Sequence, residues 1–572
     1  MFRVAPMQNP ARGRKAQEIA FPAPTGGWIT NRNLAMPNGQ NMPQGAEVLE
    51  NYFPTASGAV LRRGSRTYAE LGQDNEPVTT MFKYVVGNNR KLFASTSSTV
   101  YDITSITQAY NISIGVQDEW TLALDEDEES DTIGENSTVG NEVIEDAGSG
   151  NWSTVQFATT GGTFLLGVNG ASVGFIYDGA DFHLIEGDED ELFPGITFPD
   201  GSTLTSADLS YVWAYKNRLW FLQKESMTAW YLPVDQIGGE LTPLRLGSEF
   251  GRGGALIIGQ TWSLEGGAEG GLSEQVVFIT NEGEVAVYQG SNPADSADWR
   301  KVGVYRIGIP LGSKALIRAG GDLLIATTLG LVALSQAIQV DFAALASTAV
   351  SYPIDVPWNE AIRTRGRSGW SCALWAEQQM AIVSPPILSG YASDVFVSNA
   401  RTGAWCRFTN WPITCTETFN GRLLFGTKDG FIKDAMVGGT DDGTPFTGSY
   451  IPLFSDGGSP TSMKTAKLAR ATIRSAAQVN VKLSCRFDFN TNLPAPPSVE
   501  PIPPGNEWNN AEWNQSLWDS GRAAIVSQQR YSVSGSGQRV APVLQITSGS
   551  TVPLDAEIVA LAVTCEVGEI FT

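Results

Sequence analysis

EQVVFITNEGEVAVYQG (residues 274–290) places two apolar runs on either side of Asn281-Glu282-Gly283. The tripeptide supplies positive φ for a tight turn, and the flanking Val, Ile, Phe and Tyr favour strands, so the phrase reads as a β-hairpin. It recurs along the chain. NNRKLFASTSSTVYDIT (88–104), GGTFLLGVNGASVGFIYDG (161–179) and KNRLWFLQKESMTAWYL (216–232) follow the same order of small residues, strand, turn and strand. So do GGDLLIATTLGLVALSQ (320–336), NGRLLFGTKDGFIKDAM (420–436) and a looser copy, QQMAIVSPPILSGYASDVFVSNARTGAWCRF (378–408). The copies start at Asn89, Gly161, Asn217, Gln275, Gly321, Gln378 and Gly421, 43 to 72 residues apart. A propeller blade takes about 40–50 residues before insertions. The chain is therefore all-β, with an irregular β-propeller of six to eight blades as the first reading and a large β-sandwich as the alternative.

Composition agrees. The 572 residues include 61 Gly, 30 Pro, 25 Phe, 16 Trp and 15 Tyr, a mixture of turn formers and strand-favouring aromatics. Residues 61–444 hold the repeats. From about residue 445 the pattern changes: TAKLARATIR (465–474) and QVNVKLSCRFDFN (478–490) alternate like strands with one wet face. A stiff connector follows, LPAPPSVEPIPPG (493–505), and then WNNAEWNQSLW (508–518). A C-terminal β-sandwich-like domain is expected over 445–572. Residues 1–60, rich in Pro, Gly and Asn, are expected to form an extended arm draped over a neighbour.

Charge is concentrated. The formal net charge is −22, yet no Lys or Arg occurs between Leu92 and Tyr215, where 22 Asp and Glu lie. The remainder balances at 38 acids against 38 bases. Around 105–150 the sequence therefore reads as an acidic insertion between the first two blades. Five cysteines without a C-x-x-C pair argue against structural zinc and a disulfide framework, and fit a reducing cytoplasm. The N-terminal MFRVAPMQNPARGRK lacks the apolar core of a secretory signal, and no apolar run is long enough to predict a membrane anchor.

Catalytic patterns are sparse. His183, the single histidine, has no serine or cysteine motif with it and reads as structural. Asp102, Asp178, Asp181 and Asp235 sit at hairpin ends, where a propeller glycosidase could place paired carboxylates but where solvated turn aspartates are commoner. DEDEES (125–130) and GDEDE (187–191) lack the spacing of a calcium loop and read as loose cation attractors. No catalytic residue, cofactor or bound metal is expected. Basic residues cluster at Arg12-Gly-Arg14-Lys15, at Arg62-Arg63 and at IRTRGRSGW (362–370). In the last, Arg363, Arg365 and Arg367 alternate on one face, set for an acidic partner or a phosphate. No basic stripe for tight DNA binding is present.

One stretch carries a resemblance. GGW…NRNLAMPNGQNMPQGAEVLENYFPTASGAVLRRGS, followed by YVVGNNRKLFASTSSTVYDIT and later WAYKNRLWFLQKESMTAWYLP (213–233), is similar to tail nozzle proteins of short-tailed double-stranded DNA bacteriophages. These are also called tubular tail or packaged DNA stabilisation proteins. The resemblance covers most of the chain as a pattern of structural phrases. It implies a propeller-like body assembled as a ring, usually sixfold, beneath the portal and adaptor, with tail fibres or spikes as further partners. Such a ring continues the DNA channel, retains the packaged genome and lets it pass at ejection, without sequence-specific binding. It implies a place in the virion tail after assembly in the bacterial cytoplasm. Asp125, Glu126, Asp127, Glu128, Glu129 and Asp131 would then face the channel and weaken adhesion of a polyanion, or else form a solvated outer loop.

Within the stretch, Tyr52 and Phe53 read as an anchor fixing the arm on the first blade. Arg62 and Arg63 on a strand point to opposite faces, so a carboxylate partner on a neighbouring loop or subunit could engage each differently. The competing functional readings are a receptor- or glycan-binding tail propeller, with Trp508, Trp513 and Trp518 stacking on sugars, and a propeller glycoside hydrolase.

Overall fold

The computed structural model describes residues 16–30, 44–71, 76–104, 141–144, 147–186, 195–264, 273–475, 479–499 and 525–568. Seven sheets surround one axis. Their first strands are Thr80–Val86, Ser153–Thr159, Leu209–Tyr215, Leu256–Leu264, Leu316–Ala319, Ser371–Trp375 and Cys415–Phe419. Neighbouring first strands pack together or, between blades 1 and 2 and between blades 4 and 5, are joined by Gln156 to Val85 and by Arg318 to Gln260, and the last of them returns to Thr80–Val86, which closes the ring. Each hairpin phrase read from the sequence supplies the second and third strands of one blade. In blade 4, Val276 pairs with Tyr288 and Ile279 with Val285 across the predicted turn. Gly283 has φ of 79°, and a Cβ there would lie 2.2 Å from the Gly308 carbonyl oxygen, so the turn demands glycine.

Six blades have four strands among the described residues, and blade 5 has three. Beside blade 5 the helices Leu334–Gln339 and Phe342–Thr348 pack where a fourth strand would lie, covering its apolar face with Leu334, Ala337 and Leu345. Blade 7 is closed by chain from far upstream, because Ser65–Glu70 pairs antiparallel with Phe431–Ala435.

Blade 6 continues outward. Beyond Trp405–Phe408 its sheet adds Gly27–Trp28, Gly45–Glu50, Phe446–Pro452, Val540–Ser548 and Val481–Phe487, nine strands in all. The outer part packs on a second sheet built from Lys464–Ser475, Glu557–Val567, Ile525–Ser532, Ala16–Pro22, Tyr52–Pro54, Ala59–Leu61 and Ser536–Gly537. One hydrophobic core runs from Trp358, Trp370 and Trp405 at blade 6 to Ile473, Leu483 and Val563 in the sandwich. Gly27 makes the junction possible: at φ of 71° it lies between Trp405 and Gly45, and a Cβ would meet the Trp405 carbonyl oxygen at 2.5 Å.

Two expectations change here. The extended arm over 1–60 is replaced, in its described residues, by Ala16–Pro22, Gly27–Trp28, Gly45–Glu50, Tyr52–Pro54 and the start of Ala59–Leu61, all of them strands. Ala16–Pro22 registers with Glu557–Val567, Ile19 opposite Val563. Its alternate burial of Ile19 and Phe21 is a strand pattern outweighed in composition by nearby Pro and Gly. The acidic stretch, expected between blades 1 and 2, falls inside blade 1, between Val100–Asp102 and Asn141–Ile144. The second of these strands pairs with the first, so the insertion interrupts a blade and leaves the connection between blades short. Asp125, Glu126, Asp127, Glu128, Glu129 and Asp131 lie outside the described residues.

Candidate functional site

Arg62 joins propeller to sandwich. Its side chain is buried, and all its N–H groups have acceptors. Nε donates to Asn51 Oδ1 at 2.8 Å. Nη1 donates to the Arg63 carbonyl at 3.0 Å and to Asp441 Oδ1 at 3.1 Å, while Nη2 donates to the Thr409 carbonyl at 3.1 Å and to Asp441 Oδ2 at 2.7 Å. The guanidinium lies 3.9 Å from the Phe446 ring centroid and 5.2 Å from that of Trp411. Burial pushes its pKa down, and the hydrogen bonds and charge of Asp441 oppose that. The partners come from the sandwich edge, the exit of blade 6 and the loop after blade 7. Asn51, at φ of 58°, completes the joint by donating to Thr409 Oγ1 and the Thr447 carbonyl.

Arg62 and Arg63 follow the strand Ala59–Leu61 instead of lying on it, and Arg63 turns outward into a half-exposed bidentate pair with Asp555 at 2.8 and 2.9 Å. Both arginines thus find carboxylates within their own chain. Tyr52 is fully buried in the sandwich core against Leu61 and Gly448, away from blade 1, and Phe53 packs partly exposed beside it. The Tyr52 hydroxyl has no hydrogen-bond partner, and burial pushes its pKa well up. Tyr52→Phe should therefore leave stability unchanged or raise it by up to about 1–2 kcal/mol, read as a urea midpoint at constant slope. A loss beyond about 1 kcal/mol would mean that the hydroxyl has a partner in solution.

A cleft of about 710 Å³ opens between the Tyr52–Leu61 hairpin and blades 6 and 7. Its walls include Arg63, Trp375, Gln378, Arg401, Arg422 and Asp434. The IRTRGRSGW arginines do not share a strand face. Arg363 and Arg365 lie in the last turn of the helix Asp355–Arg365, where residues two apart point roughly 200° away from each other. Arg365 stacks 5.7 Å from the Tyr391 centroid and donates to the Ala392 carbonyl, while Arg363 and Arg367 are exposed. Helix formation overrode the alternation because Trp358 anchors that segment in the core.

Along the seven first strands the charged residues are Lys83, Arg318 and Glu417. Lys83 and Glu417 pair at 3.0 Å. Arg318 donates to Gln260 Oε1. At the end where these strands begin, Lys314 of blade 5 reaches Thr79 and Thr80 of blade 1, donating to the Thr79 carbonyl at 2.9 Å and to Thr80 Oγ1. Blades 5 and 1 are not neighbours, so the channel there is spanned by one side chain, far too narrow for a DNA duplex. The signal available in the sequence was a pair of cations, Lys314 and Arg318, flanking Leu316 just ahead of a blade hairpin.

Other sequence candidates sit in turns or at strand ends. Asp178 Oδ1 accepts from the Ala180 and Asp181 amides at 2.8 Å each, and His183 Nε2 lies 3.6 Å from Asp178 Oδ2. Asp102 pairs with Lys91 at 3.0 Å, and Asp235 accepts from Thr160 Oγ1 at 3.0 Å. Among the described residues no cluster of His, Cys, Asp and Glu is arranged to hold a metal, and no helix is long and apolar enough to cross a membrane. Residues 187–191 and Trp508, Trp513 and Trp518 lie outside the described residues.

No protein-family model matches the sequence, and a search of curated proteins returns no match. Among solved structures the chain is similar to the computationally designed protein Ika8, at 11% identity and a TM-score of 0.32, over 68% of this chain and 96% of that one. It is similar to BamB from Moraxella catarrhalis at 11% identity and a TM-score of 0.33, over 67% and 93% respectively. Raptor from Chaetomium thermophilum matches at 11% identity and a TM-score of 0.36, over 66% of this chain and 29% of that one.

Proposed function

We propose that this β-propeller protein is a structural subunit of a phage tail, a nozzle component that forms an oligomeric ring continuing the DNA path below a portal and adaptor. One observation carries the reading: the stretch bearing the resemblance, GGW through LRRGS, is also the segment that knits propeller to sandwich through Gly27, Asn51 and Arg62. A protein that works by its architecture needs particular residues at its joints rather than in a catalytic centre. The Lys314 crossing further implies that DNA runs between subunits, outside the propeller axis. Portal, adaptor and tail fibre or spike proteins are its partners, and the virion tail is its location.

Negative-stain imaging of the purified protein, alone and with a portal–adaptor complex, tests the proposal. The expected result is a ring with a central opening that docks coaxially. Monomers that instead bind host cells or cleave glycan would overturn it.

A further inference from the structure

We propose that the narrow end of the propeller channel is a binding site for a small tetrahedral oxyanion, of the phosphate or sulfate class, held by Lys314. The inference is independent of whether the chain serves in a tail.

Charge balance comes first. In a chain of net charge −22, the innermost strands carry Lys83, Arg318 and Glu417, with Lys314 in the turn entering blade 5. Glu417 is engaged by Lys83. Among the described residues no carboxylate pairs with Lys314 or Arg318. Arg318 is exposed to the channel, while Lys314 is partly enclosed; a partly enclosed cation without a counter-charge is costly, and a protein relieves that cost by pairing it, neutralising it or admitting a diffusible anion. Burial does push Lys314 down to about 8, which leaves it mostly protonated at neutral pH.

Geometry then selects the ligand. Beside Lys314 is a cavity of about 190 Å³, walled by Trp152, Ser153, Ser210, Tyr211, Ser313 and Leu316. Given roughly 30 Å³ per water, it has room for one small oxyanion with a few waters. The ammonium uses two donors on Thr79 and Thr80 and keeps a third. Ser313 lines the cavity with a further hydroxyl, whereas the Ser210 hydroxyl donates to the Leu222 carbonyl at 3.4 Å. An ammonium proton and a hydroxyl proton offered to one guest suit a polyatomic acceptor better than chloride. Arg318, on the same face as Leu316, contributes field from deeper in the channel.

The test is titration calorimetry of the full chain with sodium sulfate and with inorganic phosphate, against sodium chloride at matched ionic strength. Saturable binding of one sulfate or phosphate per chain at pH 7 is expected, with affinity at least tenfold lower in Lys314→Met and reduced less in Arg318→Gln. Sulfate keeps its charge between pH 6.5 and 9.5, so in the unaltered protein its affinity should fall across that range as Lys314 loses its proton. Of the other groups facing the site, burial pushes Cys415 and Tyr211 up to about 11 and about 12, beyond that range. Burial lowers Arg318 too, but a guanidinium holds its proton in proteins, and Lys83 and Glu417 face each other as an ion pair. Binding no tighter than chloride, equal binding by a folded Lys314→Met protein, or an affinity unchanged to pH 9.5 would each overturn the proposal. The pH series stands alone should the variant fail to fold.

Discussion

Arg62→Met should destabilise the protein by about 3–5 kcal/mol, the cost of leaving a buried carboxylate without its cation. Asp441 would keep only the Ser65 hydroxyl, 3.1 Å away, of the side-chain donors described around it. Asn51 Oδ1, the Thr409 carbonyl and the face of Phe446 would lose a partner as well. Lysine is no substitute: a point charge cannot reproduce five donors in a planar fork, so Arg62→Lys should recover only part of the loss. Arg63→Ala, removing a half-exposed pair with Asp555, should cost at most about 1 kcal/mol. Urea unfolding of the three variants checks this, with Asp441→Asn to close a double-mutant cycle. Comparable losses for Arg62→Met and Arg63→Ala would show that the joint does not depend on the buried fork.

The second large effect concerns autonomy. A fragment spanning 445–572 should fail to fold as a cooperative monomer, although its sequence looks like a separate domain. In the whole protein Glu557–Val567 pairs with Ala16–Pro22 and Ala59–Leu61, and Phe446–Pro452 pairs with Gly45–Glu50. Without those strands, two edges and the apolar faces of Ile558, Leu561 and Val563 would meet water. Far-UV circular dichroism and analytical ultracentrifugation of the fragment, with and without a peptide spanning 16–61, provide the measurement. A monomer with a sharp unfolding transition in the absence of the peptide would refute the shared-sandwich account.

The hairpin phrases were legible because each rests on local physics. Asn281-Glu282-Gly283 sets its turn through positive φ, and flanking β-branched and aromatic residues set the strands, within seventeen residues of each other. All seven recurrences proved to span the second and third strands of blades. The IRTRGRSGW stretch misled for the complementary reason: its alternation was real in sequence, but burial of Trp358 selected a helix.

What the sequence determined alone, then, is the repeated hairpin, hence the propeller class. Tertiary structure decided which distant segments complete each sheet: Ser65–Glu70 in blade 7, Ala16–Pro22 beside Glu557–Val567, and Asp441 opposite Arg62. It also decided that Lys314 crosses the channel. Turn geometry is encoded by adjacent residues. A partner hundreds of positions away is chosen by the apolar surface, unpaired strand edges and uncompensated charge that remain once the local elements have formed.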